Sequence, residues 1–411
     1  MSDRPTGVSR RDVLGGLTTI GALSIAGCSS LPVGGSNSTA PVWRQDIPDA
    51  STASPLAVAN GQLIVGAQDK ALHGFDARGG ERSFRFETGG PIEAQPAVPE
   101  QGGPYHVHST DGDLYAVSPA GSRLWQSEGV HERGMIARSG SLLVALDPSG
   151  DHRTIRGLDA KSGDERFERA VNTYRLTGFT DELLVVPVPT SADQVRVAAL
   201  SKRDGSVQWQ TDAQSYYPSI VPTGEIVLTV QKSTVTAREP SDGSVRWQTE
   251  VGEMDSYRPP ALGEQVYLRS HPPNSDSEVV ALDRNSGKIE WRRSSGYQIE
   301  WVEPTPDGVF VGSEVNDPDG GILARVDCFE LDGSRRWKTV TEAPTMEELV
   351  VFENLVVCSA ERELVAVERD TGETRWRYEP ESYSRLSLAT HDDSLFVSYI
   401  DDGAVAQLPT E

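Results

Sequence analysis

The chain has 411 residues, of which 38 are basic and 61 acidic, giving a formal net charge of −23. A surface that negative repels phosphate backbones and sets nucleic acid aside as a partner. One large repeat domain can absorb this length without a second core.

The chain opens on Ser9-Arg10-Arg11-Asp12-Val13-Leu14, a twin-arginine export pattern built on Arg10 and Arg11. The apolar stretch that follows, 13–27, is too short and too rich in glycine for a membrane span. It ends in Ser24-Ile25-Ala26-Gly27-Cys28, which resembles a lipoprotein processing box. In such proteins the peptide is cut before the cysteine and the thiol takes lipid. Residues 1–27 then read as a signal peptide, Cys28 as the lipidated residue and 28–42 as a flexible tether rich in Ser, Gly and Pro. An uncleaved anchor is the alternative, and it leaves the following domain on the same outer side of the membrane. Within the tether, Asn37-Ser38-Thr39 spells a glycosylation acceptor at Asn37.

From residue 43 onward one phrase recurs. An acidic or polar residue opens a short turn, a glycine closes it, and an aromatic follows four positions later, as in Asp283-Arg284-Asn285-Ser286-Gly287 leading to Trp291. The glycines are Gly80, Gly121, Gly163, Gly205, Gly243, Gly287, Gly333 and Gly372. Their aromatics are Phe84, Trp125, Phe167, Trp209, Trp247, Trp291, Trp337 and Trp376, spaced by 38 to 46 residues, with Trp43 a detached first copy. That spacing is the four-strand blade period of a β-propeller. The acid caps the turn through a backbone N–H two residues on, and the glycine supplies positive φ. The aromatic falls on the next strand, where it wedges between blades. Burying such a ring is worth on the order of 4–6 kcal/mol gross, an upper bound. After Trp376, three strands are expected at 386–389, 394–398 and 404–407. They lack a fourth, whereas Trp43 sits on a fourth without the other three. The two chain ends are therefore expected to share a blade and close the ring.

The phrase running from Leu364-Val365-Ala366-Val367-Glu368 through Gly372 to Trp376 resembles the repeat of pyrroloquinoline-quinone-type (PQQ-like) propellers. It is similar in style to the propeller lipoprotein of the outer-membrane β-barrel assembly machinery. The resemblance covers residues 43–411 and implies an all-β closed propeller. The family expectation is eight blades, and the strict repeat count is nine. It also implies two lines of function. One is a non-catalytic protein-binding or assembly platform, extracytoplasmic and held at the outer face of the cell membrane. The other is a quinone-dependent or other secreted oxidoreductase. The resemblance implies for such enzymes a vicinal cysteine pair with a calcium-ligating carboxylate and amide near the ring axis. No two cysteines are adjacent here, and the reading assigns no catalytic residue, cofactor or metal. Acid excess with only six lysines is similar to proteins of salt-loving archaea. At molar salt a Debye length of about 3 Å screens the self-repulsion.

Some residues fall outside the repeat. Cys328 and Cys358 lie in apolar strand contexts of consecutive units, as two buried thiols or as a disulfide. His106-Val107-His108 puts two imidazoles on one strand face, without further ligands at a telling spacing. Glu347, Glu348, Asp392 and Asp393 read as solvated surface. Stretches 148–153, 189–193, 271–277 and 316–321 read as long connections between second and third strands, which places them on one face. Such a face is where a protein partner is expected. A glycan or small-ligand surface is the further alternative, with Tyr297 and Trp301 as platforms or as blade packing.

Overall fold

A computed structural model of the chain describes residues 38–410, apart from 100–101, 130–133, 148–152, 172, 174–175, 177, 192–193, 216–217, 255–257, 273–274, 319, 342–344, 361–362 and 381–383. Arg10, Arg11, Cys28 and Asn37 lie outside the described residues.

Nine antiparallel sheets follow one another along the chain. We number them blade 1 (57–87), blade 2 (105–128), blade 3 (135–170), blade 4 (178–210), blade 5 (219–250), blade 6 (261–294), blade 7 (298–340) and blade 8 (348–378), and blade 9 is made of 386–408 with 43–46. Outside blade 2 the first strand is innermost, and first strands of neighbouring blades touch, as Gln298–Thr305 touches Glu348–Val351. The architecture is a nine-bladed propeller, as the strict repeat count has it, and not the eight of the family expectation. Blade 2 keeps three full strands. Its innermost is reduced to one bridge, Ala97 with His106, because Pro96 and Pro99 flank Ala97 and neither can donate to a ladder.

The second strands read as unbroken apolar runs, such as Leu142-Leu143-Val144-Ala145-Leu146, because each sheet is buried on both faces. Alternate residues serve opposite neighbours. Leu228 and Val230 pack with Leu268 and Val280 of blade 6, while Val227 packs with Val197 and Trp209 of blade 4.

The turn chemistry is local. Asp159 Oδ1 accepts from the backbone N–H groups of Lys161 and Ser162, each at 3.0 Å. Gly163 N donates back to the Asp159 carbonyl at 2.8 Å. The Arg166 guanidinium beside it holds the Asp159 carboxyl down to about 2. The eight repeat glycines have φ between +67° and +79°.

The ring closes through the chain ends. Trp43–Asp46 pairs antiparallel with Ala404–Leu408, setting Trp43 opposite Gln407 and Asp46 opposite Ala404. Ahead of it, Ser38 forms a parallel bridge with Arg377 on the outermost strand of blade 8, and Thr39 N donates to the Arg377 carbonyl at 2.9 Å. The described end of the segment read as a tether is thus bound along that strand.

Candidate binding face

Each repeat aromatic reaches forward to the next blade. A β-carbon placed on Gly163 would lie 2.8 Å from the Trp125 indole, and one on Gly80 would lie 2.6 Å from that of Trp43. The same holds from Phe84 against Gly121 through Trp337 against Gly372. Indole N–H groups then cap carbonyls of the neighbouring turn, Trp247 to Arg284 at 3.0 Å and Trp291 to Leu331 at 2.8 Å. At the closing blade this fails. Trp376 Nε1 and Trp43 Nε1 are buried with no partner. These residues hold the ring together and leave no reactive group exposed.

Antiparallel order divides the other features between two faces. Turns joining first to second and third to fourth strands lie on one face. Turns joining second to third strands, with the crossings between blades, lie on the other. This second face carries the long connections. In blades 4 and 7 they are not simple loops. Leu183–Ser191 and Gln194–Ser201 form one ladder in which Pro189 faces Val195 and Ser191 faces Gln194. Gly308–Asn316 and Ile322–Phe329 form the other. Second strands of nine residues exceed the six of blades 3 and 6, which extends these hairpins by roughly 10 Å at about 3.3 Å per residue. Thr190, Ser191 and Asn316 at their ends are exposed. In blade 3, residues 148–152 lie outside the described residues.

Blade 6 adds a stapled loop. Ser277 Oγ donates to the Tyr297 carbonyl at 2.9 Å, so it accepts from His271 Nδ1–H at 2.8 Å. Tyr297 stands edge-on to His271 with 47% of its surface exposed. It is an ordered aromatic on the open face. Trp301 instead packs into the core between blades 7 and 8.

Charged groups lie beneath Tyr297. Arg258 donates to the Glu300 carboxylate and, at 2.7 Å, to its carbonyl. Arg269 donates to the same carbonyl at 3.1 Å. Burial and the Glu300 charge hold the Glu314 carboxyl above its usual range. Nearby, the fully buried Asp327 takes Arg325 at 2.6 Å, Arg335 at 2.7 Å and Ser295 Oγ at 2.6 Å, clasping blade 6 to blade 7.

Cys328 and Cys358 are free and buried, and burial pushes both thiols up to about 12. His106 is fully buried, with Nε2 on the Ala160 carbonyl at 2.7 Å. Glu348 is half-buried: it accepts from Leu388 N at 3.0 Å, and burial raises its carboxyl. It belongs to an inner strand, so alternation turns it inward while Glu347 stays exposed. Asp392 and Asp393 are exposed. Among the described residues no group of three or more His, Cys, Asp and Glu side chains gathers where a metal could be held. Both described cysteines are buried in one core cluster between blades 7 and 8, and they are not the adjacent pair that such a quinone centre uses.

The family profile described as outer membrane protein assembly factor BamB matches residues 35–249 and again 193–409. Among solved structures, BamB from Moraxella catarrhalis is similar at a TM-score of 0.53 and 15% identity, over 90% of this chain and 99% of that one. Quinohemoprotein alcohol dehydrogenase from Comamonas testosteroni is similar at 0.54 and 12% identity, over 90% of this chain and 76% of that one. At such identities both likenesses speak for the fold alone. The quinoprotein ethanol dehydrogenase of Pseudomonas aeruginosa is 32% identical over 113 residues, 28% of this chain and 17% of the dehydrogenase. The chain thus spans about a sixth of the length of that curated relative.

Proposed function

We propose, from the premise that the chain belongs to the propeller family described as outer membrane protein assembly factor BamB, that it is a non-catalytic platform for partner proteins. The observation that carries this reading is the gathering of its longest projections on one face. Two extended ladders, Leu183–Ser191 with Gln194–Ser201 and Gly308–Asn316 with Ile322–Phe329, rise on the face that carries His271, Ser277 and the exposed Tyr297. Rigid projections bind with little ordering cost, and exposed tyrosine is the residue type from which interface anchors are built.

Arg10, Arg11 and Cys28 support an exported, lipid-anchored protein at the outer face of the cell membrane, and Asn37 adds a glycosylation acceptor to its tether. The acidic, lysine-poor composition supports a high-salt setting.

The test is in-cell crosslinking with mass spectrometry on two strains. One carries the natural chain, and the other has the blade 7 hairpin shortened at 316–321 with Tyr297→Ser. Proteins captured by the first and lost from the second, with melting unchanged, are the expected result. An identical capture list refutes the reading. The oxidoreductase alternative is checked separately: purified protein given pyrroloquinoline quinone and calcium should show no bound-cofactor spectrum and no dye reduction.

A further inference from the structure

Blade 5 breaks the apolar pattern of the ring at one place. Just before the residue that opens each turn, other blades put an apolar side chain, as at Leu158, Leu200, Leu282 and Val367. Blade 5 puts Arg238 there. Two positions earlier stands Thr236, and Thr229 faces it across the ladder. Blade 6 has Val280 and Leu268 at the equivalent pair, both buried.

These substitutions open a cleft of about 380 Å³ between blades 4 and 5, a size ordinary for small-molecule sites. Its floor is Thr229, Thr236 and Arg238, and its mouth is the second-to-third turn at Gln231, Lys232 and Ser233. Gln214 enters from blade 4, where Gln214–Ser215 adds a short fifth strand by pairing with Gln194 and Val195. The cleft therefore lies on the face of the projecting hairpins.

Its chemistry runs against the rest of the molecule. In a chain of net charge −23, none of the described residues lining this cleft is acidic, and two are cations. Asp212 and Glu250 are the carboxylates nearby. Asp212 acts on Arg238 electrostatically, and Glu250 accepts from Ser233 Oγ at 3.2 Å. Arg238 donates through Nη1 to the Gly243 carbonyl at 3.0 Å, while its Nε is buried without an acceptor. Burial alone lowers the guanidinium's affinity for its proton, with Asp212 opposing. The side chain also lines the cleft, and a cationic donor there suits an anionic acceptor. The other walls are hydroxyls and amides that both donate and accept, with no aliphatic or aromatic patch among the described lining residues. Tyr216 and Tyr217, next after Ser215 in the chain, lie outside the described residues.

We propose that this cleft binds a hydroxylated carboxylate, an acidic sugar of the uronate class. Arg238 takes the carboxylate, and Thr229, Thr236, Gln214 and Gln248 take the hydroxyls. The role is independent of protein binding by the hairpins.

The experiment is calorimetric titration of the full chain with glucuronate, glucose and acetate at one ionic strength. Glucuronate saturates the site, and glucose and acetate each bind roughly tenfold or more weakly. Arg238→Leu restores the residue type of the other blades, so it should fold while losing roughly tenfold or more in glucuronate affinity. Thr236→Val, which keeps the shape, weakens glucuronate without touching acetate, and it serves should the first variant fail to fold. The proposal is overturned by no saturation at about 10 mM glucuronate. It is equally overturned by acetate or glucose binding as tightly as glucuronate, or by undiminished binding in folded Arg238→Leu or Thr236→Val.

Discussion

Gly243 lies flat against Trp209 of the preceding blade, so closely that a β-carbon on it would come 2.6 Å from the indole. The glycine is held at φ +72°, so it meets two demands at once. Gly243→Ala adds left-handed strain of about 1–2 kcal/mol and overpacking of about 1–3 kcal/mol. The combined variant Gly243→Ala with Trp209→Leu should relieve the second part and keep the first. Denaturant midpoints for the four proteins of that cycle check it. Simple additivity would mean that the contact carries no energy.

The indoles are not equivalent. Trp247 donates to Arg284, whereas the Trp376 N–H has no partner, because the blade that follows it is built from the chain ends and lacks the repeat turn. Trp247→Phe should therefore cost about 1 kcal/mol more than Trp376→Phe. Equal losses in parallel melts would show that the hydrogen bond contributes nothing net.

The architecture was legible because the Gly-to-aromatic phrase is local, and its strict count reached the ninth blade. The contact that matters was not legible. The phrase links Gly243 to Trp247 four residues on, yet the ring that packs on Gly243 is Trp209, one blade upstream. The binding face was half legible. Pro189 and the Asn316 to Gly321 stretch read as loops, but ladder pairing carries through Pro189 and Asn316, since an antiparallel hairpin satisfies their backbones. The blade 5 cleft hid in plain alternation. Thr234-Val235-Thr236-Ala237-Arg238 looks like any half-buried strand until its neighbours bury the same face.

Acid should loosen blade 2 before the rest. His106 is fully buried and neutral, with its affinity for a proton lowered to about 4 chiefly by desolvation. Its Nδ1 has no acceptor waiting. A depressed imidazole binds its proton more readily in the unfolded chain. Its stabilising contribution is therefore intact above the ordinary imidazole value of 6.5 and is lost as pH falls toward 4. The loss amounts to about 3 kcal/mol. His73, also lowered by burial, adds in the same direction. Stability of His106→Gln measured from neutral pH to pH 4 should fall less steeply than that of the natural protein. Parallel curves would remove the imidazole from the account.

Removing residues 1–46 strips the fourth strand from blade 9 and uncovers the edge of Ala404–Leu408. An unpaired edge recruits another. The shortened protein should run as dimers or larger species in light scattering, and a folded monomer would contradict closure by the chain ends.

Ser38 rests beside Arg377 on the outermost strand of blade 8, far from the central axis. Nine residues lie between it and Cys28 in the sequence, a stretch that spans at most about 35 Å. The chain thus joins the ring at its rim, which leaves both flat sides, and the hairpins that rise from one of them, clear of the point of entry.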